Sequence, residues 1–311
     1  MSTLAPERTE AAATDAQESL PRERVSPPPL SMRLQFIRAA LVLVCVLSFT
    51  LVLQLVVVSR LQHSASQGRA FASLRSQLAQ GTAPVGPVDE AGVQLALGTG
   101  VAYLEAPSID LREVVLEGTT SGVLFSGAGH RRDTPLPGQV GTSVLMGRRA
   151  AFGGPFADLS DMKKGDAIKV TTGQGEFAFT VIGTRQDGDP QPAPLAANSA
   201  RLTLVTAAGT PFIPSGVFYV DADITSAPTG GVPRAIASAA LPASERSMGT
   251  DNSTIWALAL WLQALIVLAV GAVWAWNRWS RPATWIVVLP PLALVGLAAA
   301  GEIARLLPNL L

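Results

Sequence analysis

Cysteine and histidine are scarce in this 311-residue chain, which has one cysteine, Cys45, and two histidines, His63 and His130. A single thiol excludes an intrachain disulfide, and one cysteine with two histidines cannot build a cysteine-rich zinc site. We expect neither a metal site nor a cofactor. Charge is also scarce, since 15% of the residues are charged and the formal net charge is zero. The chain therefore lacks the basic surface of a nucleic-acid binder, and we expect no nucleic-acid partner.

Apolar residues are abundant instead, and they are concentrated in three uncharged runs. These are Ala39–Val58, Ile255–Trp276 and Ala283–Gly301, the last of which contains Pro290-Pro291. Each run is long enough to cross a hydrocarbon core of roughly 30 Å as a helix. The alternatives are a buried core helix or, for the first run, a signal peptide, but that run is longer than a signal peptide's apolar core. We therefore expect three transmembrane helices.

The distribution of arginine indicates the orientation of these helices. Arginines precede the first run and lie in the loop 277–282 between the other two, and cytoplasmic segments carry an excess of basic residues. We expect a multi-pass protein of the cell membrane with a cytoplasmic N-terminus. Residues 60–254 and the short segment after the third run would lie outside, and the loop would lie inside.

The remaining sequence divides by composition. The first 35 residues mix charge, small residues and proline and cannot bury a core, and the stretch that leads back to the second apolar run is small, polar and rich in proline. The predicted organisation is a disordered cytoplasmic tail (1–35), a transmembrane helix (36–59), a juxtamembrane helix and linker (60–91), a β-rich domain (92–224), a flexible stalk (225–253) and two transmembrane helices (254–276 and 283–301).

The β-rich domain shows short strands separated by turn signals. Short helical turns are predicted at Thr120–Leu124 and Phe156–Met162. Many short strands in one extracytoplasmic module favour a mainly β fold that closes into a barrel. The predicted strands are Gly100–Leu104, Glu113–Leu116, Thr142–Met146, Ala167–Thr172, Glu176–Thr184, Arg201–Thr206 and Gly216–Val220.

Several segments of this domain form a recognisable series. They are APSID at 106–110, GAGH at 127–130, TPLPGQ at 134–139, TSVLMGRR at 142–149 and RLTLVTA at 201–207. In order and spacing they resemble the sortase family, the membrane-anchored cysteine transpeptidases of Gram-positive bacteria, and within it the class E type. The resemblance implies a sortase-like β-barrel.

The resemblance fails at the positions that carry the family's chemistry. Sortases need a cysteine thiolate as nucleophile, a histidine that protonates the leaving amine and an arginine that stabilises the oxyanion. The histidine's place is held by Arg148 and the cysteine's by Ala207, and residues 214–217, where the family's arginine is expected, contain none. The resemblance therefore implies a catalytically degenerate sortase without a catalytic residue.

Other side chains are poor substitutes for the missing groups. Thr206 adjoins the nucleophile position, but a hydroxyl without a nearby base is a weak nucleophile at neutral pH. His130 lies in a loop where the family often has a non-catalytic histidine, and Cys45 lies within the first apolar run. The candidate groove or ligand-binding residues are Arg148, Thr206, Ala207 and His130.

Arg148 leaves two interpretations open. Its guanidinium presents a fork of donors that suits a carboxylate or phosphate ligand. Alternatively it is solvated or pairs with an acidic neighbour such as Asp187 or Asp189.

The sequence is compatible with three functions. The first is an inactive sortase-like module that binds an envelope protein, peptide or polymer in its groove. The second is an active transpeptidase with a displaced nucleophile. The third is a structural subunit of a membrane complex, which the small residues Gly296–Gly301 would allow to pack closely. The bias towards alanine, glycine, proline and arginine indicates a Gram-positive source of the actinobacterial type.

Overall fold

The computed structural model describes residues 31–89, 92–230, 236–278 and 281–311. The chain divides into two compact units, Met1–Leu43 and Val44–Leu311. In the first unit the described residues from Met32 onward belong to a helix. The second unit contains the rest of that helix, a β-barrel and further helices. Residues 1–30 of the tail expected over 1–35 lie outside the described residues.

The first long helix runs without a break through the expected boundary at residue 59. Helix α1 (Met32–Leu53) passes through a π-helical turn (Gln54–Val58) directly into α2 (Ser59–Gln80). The helix ends at Gly81, whose φ of 69° lies in the left-handed region that glycine adopts at little cost. The predicted first transmembrane helix and the juxtamembrane helix are therefore parts of one helix.

Two further helices follow the barrel, α4 (Ile255–Arg278) and α5 (Arg281–Arg305), and α5 continues through Pro290 and Pro291. By length and composition, three stretches of the described residues can cross a membrane. They are Val44–Gln80, Asn252–Ala275 and Ile286–Arg305. The predicted set of three apolar helices is confirmed at this level.

Between these helices lies a closed barrel of eight strands in the order β1-β2-β3-β4-β7-β8-β6-β5. The pairs β2/β3 and β4/β7 are parallel, and the other neighbouring pairs are antiparallel. The predicted mainly β fold with a closed barrel is confirmed. The strands are β1 Gly100–Ala106, β2 Leu111–Glu117, β3 Gly129–His130, β4 Gly141–Met146, β5 Ala167–Thr172, β6 Gly175–Gln186, β7 Ala200–Thr210 and β8 Ile213–Ile224.

The barrel interior is packed with aliphatic and aromatic side chains, among them Leu104, Ile168, Phe179 and Leu202. Gly138 shows how closely this core approaches the backbone. Its φ is 92°, and a β-carbon there would collide with the ring of Phe177. Glycine is therefore required in this loop for both conformation and space.

Helix α2 is fastened to the barrel wall, which fixes the barrel close to the first apolar helix. Gln67 donates to the carbonyl oxygens of Val114 (3.2 Å) and Ser126 (2.8 Å) and accepts from the Val114 amide (2.8 Å). His63 and Glu113 lie 2.8 Å apart, and Leu74 is buried against the same strand.

Residues 225–253 are predicted to be a flexible stalk, but the stretch 236–253 is folded. It forms short 3-10 turns that pack against the barrel. Glu245 is buried, accepts two hydrogen bonds from Arg132, and its carbonyl oxygen accepts one from Thr119 (2.6 Å). The partner of this buried carboxylate lies more than a hundred residues away in the chain, which composition alone does not reveal.

Candidate functional site

The candidate site lies where the parallel strands β4 and β7 end side by side. Met146 pairs with Val205, and the Gly147 amide donates to the Val205 carbonyl (3.0 Å). Thr206 donates its hydroxyl to the Gly147 carbonyl (2.9 Å). A β-carbon at Gly147 would lie 2.6 Å from the Phe156 ring, so glycine lets the chain pass close to the core before it reaches Arg148.

Arg148 is fully buried, with 0% of its surface exposed. Its guanidinium donates to Ser121 Oγ (2.7 Å) and lies over the rings of Phe125 (4.6 Å) and Phe152 (5.4 Å). Burial lowers the pKa of Arg148 from its ordinary value to about 9, so the side chain is still cationic at neutral pH. Its Nη1 also donates to the Leu311 oxygen (3.4 Å), and among the described residues no Asp or Glu side chain forms an ion pair with it.

The two phenylalanines beside Arg148 stack face to face, 3.7 Å apart and 7° from parallel. Phe152 has a φ of 53°, a conformation that a bulky side chain rarely adopts. It packs with Ala151, its neighbour in the chain, and with Ala304 of α5. The barrel, the last helix and Arg148 therefore meet at one aromatic cluster. This packing holds the strained backbone in place.

Arg148 does not pair with either of the acidic residues proposed for it. Asp187 accepts hydrogen bonds from the Val217 amide (2.9 Å) and the Tyr219 hydroxyl (3.0 Å). Asp189 accepts from the Gln186 amide (2.7 Å) and caps that turn. The solvated alternative also fails, because Arg148 has no exposed surface.

Ala207 is buried at the centre of an apolar cluster. It is 2% exposed, and the cluster contains Leu124, Met146, Val205, Val217 and, from the other end of the chain, Leu310. Arg149, which follows Arg148 in the chain, donates its side chain to the Ala207 carbonyl (2.9 Å). The position at which the sequence resemblance predicts the family's nucleophile is thus covered and apolar.

The other groups singled out in the sequence have structural surroundings. His130 is buried, with Nδ1 2.9 Å from Glu117 and Nε2 3.0 Å from the Pro135 carbonyl. His63 bonds Glu113 between α2 and the barrel, and Cys45 lies in the apolar helix α1. Thr206 bonds a backbone carbonyl, as described above, and has no histidine partner among the described residues.

Comparison with known proteins shows what this barrel is similar to. Residues 104–212 match the sortase domain family. The barrel is sortase-like. Sortase D of Bacillus subtilis (strain 168) is 31% identical over 88 residues, which cover 28% of this chain and 43% of the relative. The match therefore spans less than half of the relative's length.

Solved sortase structures resemble the sortase-like barrel as well. The Clostridium perfringens sortase D5 transpeptidase has a TM-score of 0.44 at 18% identity and covers 52% of this chain and 99% of its own. The sortase C of the same species, with the C-terminal cell wall sorting motif, has a TM-score of 0.40 at 20% identity, covering 52% and 89%. Corynebacterium diphtheriae sortase A has a TM-score of 0.37 at 20% identity, covering 51% and 84%.

Sequence reasoning identified Arg148, Thr206 and Ala207, and the structure brings these three together at the ends of β4 and β7. Sequence reasoning missed the groups that cover these residues, namely Ser121, Phe125 and the segment containing Leu310. The aromatic residue after the short helix α3 (Ser121–Leu124) carries no motif, and of residues 306–311 the sequence predicts only that they lie outside the membrane. No local signal in either segment indicates the contact.

Proposed function

We propose that this protein is a membrane-held, catalytically inactive sortase-like protein of class E type that acts as an extracytoplasmic binding or scaffold module. One observation carries the proposal. The family's nucleophile position is Ala207, whose methyl group is buried in an apolar cluster, and the family's histidine position is Arg148, which is buried against aromatic rings. Neither group can attack a carbonyl carbon or protonate a leaving amine near neutral pH.

The membrane arrangement supports a module held close to the bilayer. Helix α2 continues the first apolar helix and bonds the barrel through Gln67, and Phe152 packs the barrel against α5 through Ala304. We propose that the N-terminus is cytoplasmic and the barrel lies outside, as the arginine distribution indicates. The partner would then be an envelope protein, peptide or polymer of a Gram-positive, actinobacterial cell.

A turnover assay tests the proposal. The full chain in lipid nanodiscs is incubated with a cell-wall sorting-motif peptide and an amine acceptor, and the products are identified by mass spectrometry beside an active sortase. We expect no cleaved or ligated peptide. Any turnover above the protein-free rate would contradict catalytic inactivity. The paired variant Arg148→His/Ala207→Cys serves as a matched comparison, because it restores two of the three missing groups on the same barrel.

A displaced nucleophile is the enzymatic alternative. Thr206 is the nearest hydroxyl in sequence, but its hydrogen is donated to Gly147, which removes it from a general base. If the full chain did turn over the peptide, loss of that activity in Thr206→Val would assign the nucleophile. Retention of the activity would place the nucleophile elsewhere.

A structural subunit of a membrane complex is the second alternative. Of the small residues that suggested it, Gly296 lies against Thr50 of the chain's own first helix, since a β-carbon there would come 3.4 Å from the Thr50 methyl group. Part of the small-residue stripe is therefore already used within the chain. Affinity purification in mild detergent separates the proposals. A partner that the full chain retains and the Ala207→Trp variant loses would support binding in the groove. A partner that both proteins retain would support assembly through the membrane helices.

A further inference from the structure

Residues 306–311, which follow α5, lie on the barrel at the ends of β4 and β7. The Arg149 amide donates to the Leu310 carbonyl (3.0 Å), and Arg148 Nη1 donates to the Leu311 oxygen (3.4 Å). The Asn309 amide donates to the Gly249 carbonyl (3.0 Å). The segment is therefore bound through its own backbone at the ends of β4 and β7, where the proposed function places the groove.

Asn309 occupies a small polar site that accepts hydrogen bonds. It is 0% exposed, and its Nδ2 donates to the carbonyl oxygens of Ser244 (2.6 Å) and Arg246 (3.0 Å). Two converging carbonyls select a side-chain NH₂ group and repel a carboxylate of the same shape. Gly249 closes the site, because a β-carbon there would approach within 3.2 Å of Asn309 Nδ2.

Leu310 fills the neighbouring apolar site. It is 0% exposed and packs into the cluster that contains Ala207, Met146 and Val217. Because alanine has no side chain beyond the methyl group, this position leaves room for a leucine above it. The residue that removes the family's nucleophile also contributes to the apolar site.

We propose that the groove over Ala207 is a binding site for a peptide segment in which an asparagine precedes two aliphatic residues, and that residues 306–311 of this chain occupy it in cis. A peptide of the same chemistry then binds from outside only when the segment has left. This inference rests on the proposed function, since it names the class of ligand for that groove. The segment can also hold α5 against the barrel, but an added peptide is still expected to bind only when residues 306–311 have left the site.

How strongly residues 306–311 compete with a free peptide follows from their covalent link to α5. Because the segment continues directly from α5, its effective concentration at the groove is of millimolar order. If a free peptide binds the empty groove with a dissociation constant near 100 μM, occupation in cis weakens its apparent binding about tenfold. Release of the segment should therefore make a free peptide bind about tenfold more tightly.

The variant Asn309→Asp releases the segment with the smallest change of shape, and Asn252→Asp at an exposed asparagine is its control. The probe is the labelled, amidated hexapeptide Leu-Leu-Pro-Asn-Leu-Leu, whose binding to the full chain in nanodiscs is measured by fluorescence anisotropy. We expect Asn309→Asp to bind the probe about tenfold more tightly than the unmodified chain or the control. A hexapeptide with aspartate in place of asparagine should not bind.

Hydrogen exchange makes the result decisive. In Asn309→Asp the Arg149 amide should lose protection while β7 amides keep theirs, which shows that the segment has left a folded barrel. Loss of that protection without probe binding would overturn the proposal, as would equal binding to all three proteins. Retained protection in both Asn309→Asp and Leu310→Asp would also overturn it. A failure here leaves the turnover assay unaffected, because that assay does not use the probe.

Discussion

Replacing Arg148 with methionine should leave the barrel as stable as before or more stable. The lowering of its pKa by burial, from the ordinary arginine value to about 9, corresponds to a cost of roughly 5 kcal/mol for holding the charge there. Against this, the charged hydrogen bonds to Ser121 and to the Leu311 oxygen together contribute about 3 kcal/mol, and the contacts with Phe125 and Phe152 contribute about 1 kcal/mol each. Methionine keeps the length of the side chain and removes the charge.

We therefore expect the free energy of unfolding of Arg148→Met to lie no more than about 1 kcal/mol below that of the unmodified chain. Arg148→Ala should lose about 3 kcal/mol, because it leaves a cavity beside the aromatic pair. Hydrogen exchange of the β7 amides is the suitable assay, since all six tryptophans lie between residues 256 and 285, outside the barrel, and their fluorescence does not report on it.

The pH dependence supplies a second check on the same residue. Since the pKa of Arg148 is lower in the folded barrel than in the unfolded chain, the unfolded state holds more protons at any pH between about 9 and the ordinary pKa of arginine. The stability contributed by this position must therefore rise as the pH passes upward through about 9, and Arg148→Met should remove that rise. A loss of about 3 kcal/mol or more in Arg148→Met would refute the reasoning, because it would mean that the charge itself stabilises the site.

Three further predictions concern the contacts around the barrel. Glu245→Gln should lower the barrel's stability by about 3 kcal/mol, because it leaves Arg132 without its buried partner, and limited proteolysis within 236–253 should become faster; unchanged cleavage would contradict the packing of this segment. Burial is the largest single effect on the pKa of Asp133 and raises it, but the hydrogen bonds and positive charge of Arg131 and a hydrogen bond from Ser238 together lower it below its usual value. The stabilisation by Asp133 is therefore present above the unfolded pKa and lost as the pH falls through the folded one. Asp133→Asn should flatten an acid denaturation curve below about pH 4, and an identical curve would be evidence against this ion pair. Gln67→Ala should cost about 2–3 kcal/mol in the docking of α2, seen as faster exchange of the amide it holds on β2, whereas an exposed glutamine replaced in the same helix should change nothing.

Much of the barrel could be predicted from the sequence because its strands carry their own turn signals. The predicted bounds of strand β5 match the observed ones, since the Gly173–Gly175 turn follows it directly. Strands β7 and β8 are longer than predicted because their mutual pairing extends to Thr210 and Ile213, beyond the apolar pattern. Strand β3 has two residues and exists only through its neighbours, so local pattern does not reveal it.

The surroundings of the candidate site could not be predicted in the same way. The resemblance predicts Arg148 and Ala207 at two of the family's catalytic positions, but Leu310 and Leu311, which contact this site, lie about a hundred or more residues away in the chain. Of the two interpretations of Arg148, the one in which it binds an anion assumes an open groove. Contacts over such sequence distances arise from tertiary packing, which no local motif encodes.

The most direct test of catalytic inactivity is the intact mass of the protein after incubation with a sorting-motif peptide in the absence of an amine acceptor. A nucleophile anywhere in the chain would attack the peptide carbonyl, expel the amine of the leaving fragment and retain the acyl group as an added mass. We expect the full chain to keep its unmodified mass while an active sortase acquires the adduct. An acyl adduct on this chain, located by fragmentation to any residue, would contradict the proposal that this sortase-like barrel binds without catalysing.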